Sequence, residues 1–306
     1  MATGRMRPLM SSILAATFAA GATVLATGPA DPAGPAAVLR FGITAGVVEG
    51  SSPTDAKAAS QLWAQGIAEA IGLYRAAESA YYADMPETVR AVASGQIDVL
   101  ALSSLEFLAA EDRLKCRPAM VYEVNGEVMQ EFVLIARTGV QIGADAARKS
   151  LVVYAPTKRG SLPDVWADVH FREAGLREGV HSFASVRYVD KRSHAAMAVF
   201  FKQADFAIES RSALKTAIDL NPQLGKELVV LAQSPPLLPG LVCMSHTMSA
   251  DLQRKYVDRA AHLHEQPRYR QAFVVMRVTR ITEFQLSYLD TARALLAKQR
   301  ALVAKR

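Results

Sequence analysis

Pro156-Thr157-Lys158-Arg159-Gly160-Ser161 is the segment of this sequence best equipped for chemistry. It lies between an apolar run, Leu151 to Tyr154, that reads as a strand, and Leu162 to Glu173, which reads as a helix closed by Gly175. A turn that opens a helix offers backbone N–H groups without intrahelical acceptors and the positive end of the helix dipole, and both favour a phosphate-like or carboxylate group. Thr157 and Ser161 add hydroxyl donors, Lys158 and Arg159 add fixed positive charge, and the Arg159 guanidinium can grip two oxygens at once. The competing reading is an ordinary cap, with Ser161 as N-cap and Asp164 as its partner three residues on. His194 opens a later helix, where a histidine is commonly a cap or a partly exposed surface residue. Glu209 ends a later strand and either pairs with Lys158 or Arg159 or receives an amine, since beside a phosphate dianion it would be repulsive.

Motifs for catalysis are missing. No G-x-S-x-G elbow, Walker loop, H-E-x-x-H or G-x-G-x-x-G occurs, and no motif places two carboxylates for acid-base work. The two cysteines, Cys116 and Cys243, are too far apart in sequence for a C-x-x-C pair or a zinc cluster, although they could join in a disulfide in an oxidising compartment. His262 and His264 project from different sides of a helix and make a poor metal pair. Neither an enzymatic activity nor a cofactor nor a metal is expected.

The elements that must position these groups alternate. Val38 to Thr44 reads as a strand, Asp55 to Ile71 as a helix, Glu78 to Ala83 as a strand, Pro86 to Ala93 as a helix, Ile97 to Leu102 as a strand and Leu105 to Arg113 as a helix. After the apolar strand Met129 to Ala136 a second series begins: strand Leu151 to Tyr154, helix Leu162 to Glu173, strand Ser185 to Val189, helix His194 to Lys202 and strand Phe206 to Glu209. Leu228 to Ala232 returns as a strand into the rigid Ser234-Pro235-Pro236-Leu237-Leu238-Pro239-Gly240, Leu241 to Ser245 follows as a strand, and from Ala250 the chain reads as helical to its end with a break near Gln266-Pro267. One α/β series interrupted by another implies two lobes with a ligand cleft between them, each lobe a mainly parallel sheet flanked by helices. The boundaries read as lobe 1 over 38–137 and 238–306 and lobe 2 over 138–237.

With 306 residues, 51% hydrophobic and 21% charged, the chain has the make-up of a folded protein with room for two such lobes. Its start reads as an export signal over residues 1–30. Arg5 and Arg7 precede an apolar, small-residue run from Leu9 to Ala26, and Gly28, Pro29 and Pro32 follow. The weaker alternative is a retained anchor. Removing residues 1–37, with Arg5, Arg7 and Asp31, leaves a net charge of +5, spread along the chain. That excess suits small anions and does not form a nucleic-acid patch.

Taken in order, Arg40-Phe41-Gly42-Ile43-Thr44, Ala93-Ser94-Gly95-Gln96-Ile97-Asp98-Val99, Glu131-Phe132-Val133-Leu134-Ile135-Ala136-Arg137, Ser193-His194-Ala195-Ala196-Met197-Ala198-Val199, Gln203-Ala204-Asp205-Phe206-Ala207 and Ser234-Pro235-Pro236-Leu237-Leu238-Pro239-Gly240 resemble one family. This is the phosphonate-type (phosphate, phosphite, phosphonate) substrate-binding proteins of bacterial ABC importers, with the type 2 periplasmic binding fold. The resemblance implies a periplasmic monomer that closes two lobes over a small anionic solute and presents it to an ABC permease in the inner membrane. A sensing module of the same fold, presenting solute to a receptor or kinase, is the alternative. The implied ligand contacts are Thr44, Ser103, Ser104, Thr157, Lys158, Arg159, Gly160, Ser161, His194 and Glu209. Departures are confined to the pocket: Lys158-Arg159-Gly160-Ser161 stands where the family has Ser-Thr-Ser-Gly, Leu102-Ser103-Ser104 where it offers an aromatic, and Ala195 where an acid follows the histidine.

Overall fold

The computed structural model of the protein describes residues 38–47, 53–124, 126–155, 160–191, 194–275 and 278–304. Strand β1 (Val38–Thr44) leads to helix α1 (Pro53–Ile71), then β2 (Ala76–Tyr82), α2 (Met85–Ala93), β3 (Val99–Ser103), α3 (Ser104–Ala110), β4 (Cys116–Glu123) and β5 (Phe132–Arg137). There follow β6 (Ser150–Tyr154), α4 (Leu162–Glu173), β7 (Ser185–Val189), α5 (His194–Phe200), β8 (Phe206–Ser210), α6 (Arg211–Leu220), α7 (Pro222–Glu227) and β9 (Leu228–Gln233). The chain ends in β10 (Gly240–Ser245), α8 (Ala250–Ala261), α9 (Arg270–Val275), β11 (Arg280–Glu283) and α10 (Asp290–Ala304).

These strands form two sheets, one ordered β11-β4-β10-β3-β1-β2 and the other β7-β6-β8-β5-β9. Both are mixed, which corrects the expectation of mainly parallel sheets. Strands β2, β1 and β3 run parallel, as do β7, β6 and β8, but β10, β4 and β11 join the first sheet antiparallel and β5 and β9 flank β8 antiparallel. For β5 and β10 the cause is the crossing between sheets, and β4, β11 and β9 lie beyond these two strands in the sheet order. A strand that enters a sheet from the other one arrives without a helical crossover and is free to pair head to tail. Strand β5 lies in the second sheet, not at the end of the first series. The two crossings, near 124–131 and 234–239, are tied side by side by Gln130 and Leu237, each donating its N–H to the other's carbonyl at 2.8 Å.

Four further elements depart from the sequence reading. Strand β4 contains Pro118, which cannot donate to a ladder and masks the strand signal; it sits opposite Cys243 where the β10 register shifts. Helices α6 and α7 and strand β11 were not anticipated, and β11 interrupts the expected C-terminal helix. Cys116 and Cys243 are buried, free thiols on adjacent antiparallel strands, staggered so that Cys116 faces Ser245 and Cys243 faces Pro118.

The same device aligns the central strands of both sheets. Asp98, just before β3, accepts from the Arg40 N–H at 2.9 Å and returns its own N–H to the Arg40 carbonyl; Asp205, just before β8, accepts from the Ser150 N–H at 2.8 Å and returns its N–H to the Ser150 carbonyl. A carboxylate bonded to an N–H in this way fixes register, because a one-residue slip would turn every side chain of the strand over. In the first sheet the Arg40 guanidinium adds two bonds to Asp98, at 2.9 and 2.6 Å, and the carboxylate raises the pKa of that guanidinium. In the second, the Ser150 hydroxyl donates to Asp205 at 2.9 Å.

Candidate functional site

Ligands of open α/β sheets bind beyond the carboxyl ends of the strands, where strands turn into helices. The registers Phe41 with Val99 and Leu151 with Phe206 put Thr44 and Ser103 at this edge of the first sheet, and Tyr154 and Ser210 at the matching places in the second.

The first-sheet edge is organised around Glu106, a residue that sequence reasoning did not single out. Its Oε2 accepts from the Thr44 hydroxyl at 2.7 Å, the Ser103 N–H at 2.9 Å and the Ser103 hydroxyl at 2.8 Å, and its Oε1 accepts from the Gly46 N–H at 3.0 Å. The Ser103-x-x-Glu106 spacing is a capping box, and that much was available from sequence. Thr44 and Gly46 come from the far end of β1 and reach Glu106 only in the fold. Gly46 is required there: a Cβ on it would stand 2.1 Å from Glu106 Oε2 and 2.6 Å from Ser103 Oγ. Thr44 and Ser103 therefore serve a side-chain carboxylate. Ser104 is fully buried and its hydroxyl donates to the Leu238 carbonyl at 2.6 Å, which fastens α3 to the second crossing.

At the second-sheet edge Glu209 is fully buried, and its Oε1 accepts from the Ser210 N–H at 3.0 Å. Ser210 in turn caps α6 by accepting from the Ala213 N–H at 3.3 Å. Both N-cap serines, Ser103 and Ser210, thus give their N–H to a carboxylate, supplied from within α3 in one sheet and from the last turn of strand β8 in the other.

The start of α4 differs. Ser161 is its N-cap by backbone conformation (φ −76°, ψ 164°), yet its side chain makes no cap hydrogen bond. Its Oγ is buried and has no hydrogen-bond partner among the described residues. The cap reading for Ser161 and Asp164 is not what forms. Asp164 instead accepts from the Gly160 N–H at 2.9 Å and from the Tyr188 hydroxyl at 2.7 Å, which ties the end of the loop to β7. Gly160 has φ +79°, a left-handed conformation that suits glycine and delivers the chain into the helix. Behind this turn, Leu162, Val165 and Trp166 pack in the second core, so the helix end is held by a rigid support. Thr157, Lys158 and Arg159 lie outside the described residues. His194 is exposed at the first position of α5, where its N–H donates to the Lys191 carbonyl at 3.2 Å.

Helices α3, α4 and α6 thus each follow the carboxyl end of a strand, β3, β6 and β8 respectively. Among the described residues no group of three or more His, Cys, Asp or Glu side chains could hold a metal ion, and no helix is long and apolar enough to cross a membrane.

Residues 45–289 match the family of periplasmic substrate-binding proteins of phosphonate ABC transporters. The chain belongs to this family. Among solved structures, this binding protein is similar to the binding-protein component of an ABC phosphonate transporter from Pseudomonas aeruginosa, with 17% identity, 90% of each chain covered and a TM-score of 0.60. It is also similar to PhnD1 of Prochlorococcus marinus in complex with methylphosphonate (9% identity, 86% of this chain and 98% of that one, TM-score 0.58) and to a Xanthomonas citri protein bound to ATP (13%, 87% and 98%, TM-score 0.59). At these identities the likeness establishes the fold, a type 2 periplasmic binding protein of two mixed sheets flanked by helices. No match to a curated protein sequence was found. Family membership makes this a transport binding protein, and its relatives work in the periplasm with an ABC permease.

Proposed function

We propose that this binding protein captures a small phosphorus oxyanion at the first turn of α4 and delivers it to an ABC permease. The observation that carries the reading is the Ser161 hydroxyl, buried at a helix N-terminus and bonded to nothing among the described residues. A buried hydroxyl left without a partner costs about 1–3 kcal/mol, and a ligand oxygen would recover that loss. The N-cap serine hydroxyls of α3 and α6 are bonded within the fold, whereas that of α4 has no partner among the described residues, so α4 is the helix start with a side-chain donor to offer an outside anion. Lys158 and Arg159, next to it in sequence, supply the charge that a phosphonate or phosphate needs.

Two similar structures carry ligands with phosphorus oxyanions, methylphosphonate in one and ATP in the other, which supports the class without fixing its size. The protein works as a monomer in the periplasm after removal of residues 1–30, with no cofactor and no nucleic-acid partner. Nothing in the fold favours the sensing alternative over transport.

Thermal melting of the chain without its leader tests this against phosphate, phosphite, alkylphosphonates, nucleotides, sulfate, sulfonates, carboxylates and amino acids. A bound solute at about 100 times its Kd adds about 2.7 kcal/mol, roughly 5 °C for a chain of this size. A shift confined to phosphorus oxyanions is expected. A shift with carboxylates or sulfonates alone would overturn the ligand class and leave the fold untouched.

A further inference from the structure

Leu289 and Ala292 stand three residues apart and are buried in different cores. Leu289 lies with Leu102, Phe107 and Leu241 in a core of the first sheet, and Ala292 lies with Leu295, Val165 and Trp166 in a core of the second. Helix α10 therefore leaves the first sheet and packs on the second. Ala292, Leu295, Leu296 and Leu302 form its apolar stripe, at the three-to-four spacing of one helix face. Polar contacts repeat the attachment: Gln299 donates to Asp168 at 3.1 Å, and Lys298 pairs with Glu173 at 2.5 Å, both acids belonging to α4. Back toward the first sheet, Arg293 makes a two-pronged bond to Glu111, the residue that ends α3, with both N···O distances 2.6 Å. Leu105 and Leu108 of α3 pack against the same cluster from that side.

We propose that α10 moves with the second lobe as a third crossing between the lobes, pivoting at Leu289–Asp290, and that Arg293–Glu111 is the latch that restrains their rotation. Interdigitated apolar contacts bind α10 to α4, whereas the ion pair is exposed by 43% at Arg293 and 28% at Glu111. Such a pair is the weaker attachment and is the one that yields when the lobes turn about their crossings. Its half-exposed setting makes it a bias on the lobe equilibrium and not a lock. This places α10 with lobe 2, against the sequence expectation of 238–306 in lobe 1, and it holds whatever solute the cleft takes.

The test is the lobe-to-lobe distance distribution without solute, from spin labels on cysteines introduced at the exposed Lys215 of α6 and Asp258 of α8, the native thiols being buried. R293A and E111A are each expected to change the ratio of lobe arrangements about three- to five-fold in the same direction. The reversed pair R293E with E111R is expected to restore the wild-type ratio. Hydrogen exchange should show α10 protected together with α4. An unchanged distribution in both single variants, a reversed pair that stays like the singles, or an α10 that exchanges with β11 would each overturn the proposal.

Discussion

Ser161→Ala separates the two roles a serine can have at the start of a helix, because the roles predict opposite responses of stability and affinity. A capping serine contributes about 0.5–2 kcal/mol, and its loss would lower the melting temperature of the free protein by a few degrees. Ser161 makes no cap bond, and its Oγ is buried with no partner among the described residues. Replacing it by alanine removes a buried hydroxyl that has no partner among the described residues, so the free protein should melt at the same temperature or up to roughly 3 °C higher. The solute tells the other half. A hydroxyl that donates to an ionised oxygen is worth about 1.5–3 kcal/mol, so affinity for methylphosphonate or phosphate should fall roughly 10- to 150-fold. Calorimetric titration and scanning calorimetry on the same samples give both quantities. A lower melting temperature with unchanged affinity would make Ser161 a structural cap and remove the start of α4 from the binding site.

Gly46→Ala should cost at least about 2 kcal/mol in urea unfolding, since the new Cβ displaces the Glu106 carboxylate from its donors; wild-type stability would show that the loop yields freely. Alkylation of the native protein should leave both thiols unreacted, because burial raises the pKa of Cys243 and Cys116 lies beside it, and alkylation after unfolding should modify two thiols per chain. A mass two units low with no adduct would reveal a disulfide between the two neighbouring thiols. His170, half-buried and stacked on Trp166 at 5.7 Å, has its pKa lowered by burial, so the unfolded chain binds the proton more readily. Its contribution to stability is present above the unfolded-state pKa near 6.5 and is lost as pH falls below it. His170→Gln should flatten that part of the pH–stability curve between pH 7.5 and 5, and an unchanged slope would assign the acid sensitivity elsewhere.

The legible parts of the molecule were those whose signal is local. Leu162–Glu173 and Ser185–Val189 form the elements their residue patterns predict, to the residue, because an apolar stripe with a following glycine and a short run in which Val186 and Tyr188 alternate with polar residues are local signals. Strand β4 was hidden by Pro118, tolerated where the opposing strand shifts register, and β11 by its four-residue length and its charged ends, Arg280 and Glu283. The antiparallel entry of β5 and β10 followed from the crossings, which no local pattern encodes. The site divides in the same way. Ser103-x-x-Glu106 was readable as a cap, but the bonds that turn Glu106 into the centre of the first-sheet edge come from Thr44 and Gly46, about 60 residues earlier in the chain. The spent Ser104 and the unspent Ser161 look alike in sequence, and only the Leu238 carbonyl beside one of them tells them apart.

The position of α10 also sets the order in which the molecule can be completed. The core of the second sheet takes Ala292 and Leu295 from the last helix, and Gln299 reaches across 131 positions to Asp168. A chain emerging from its N-terminus can pair β6, β7 and β8 long before those residues exist. Until they arrive, Trp166 and Val165 on α4 lack part of their cover. The second half is therefore held short of its final packing until the residues of α10 have been made, which gives the early part of the chain a longer unpacked interval than its own local pairing would need.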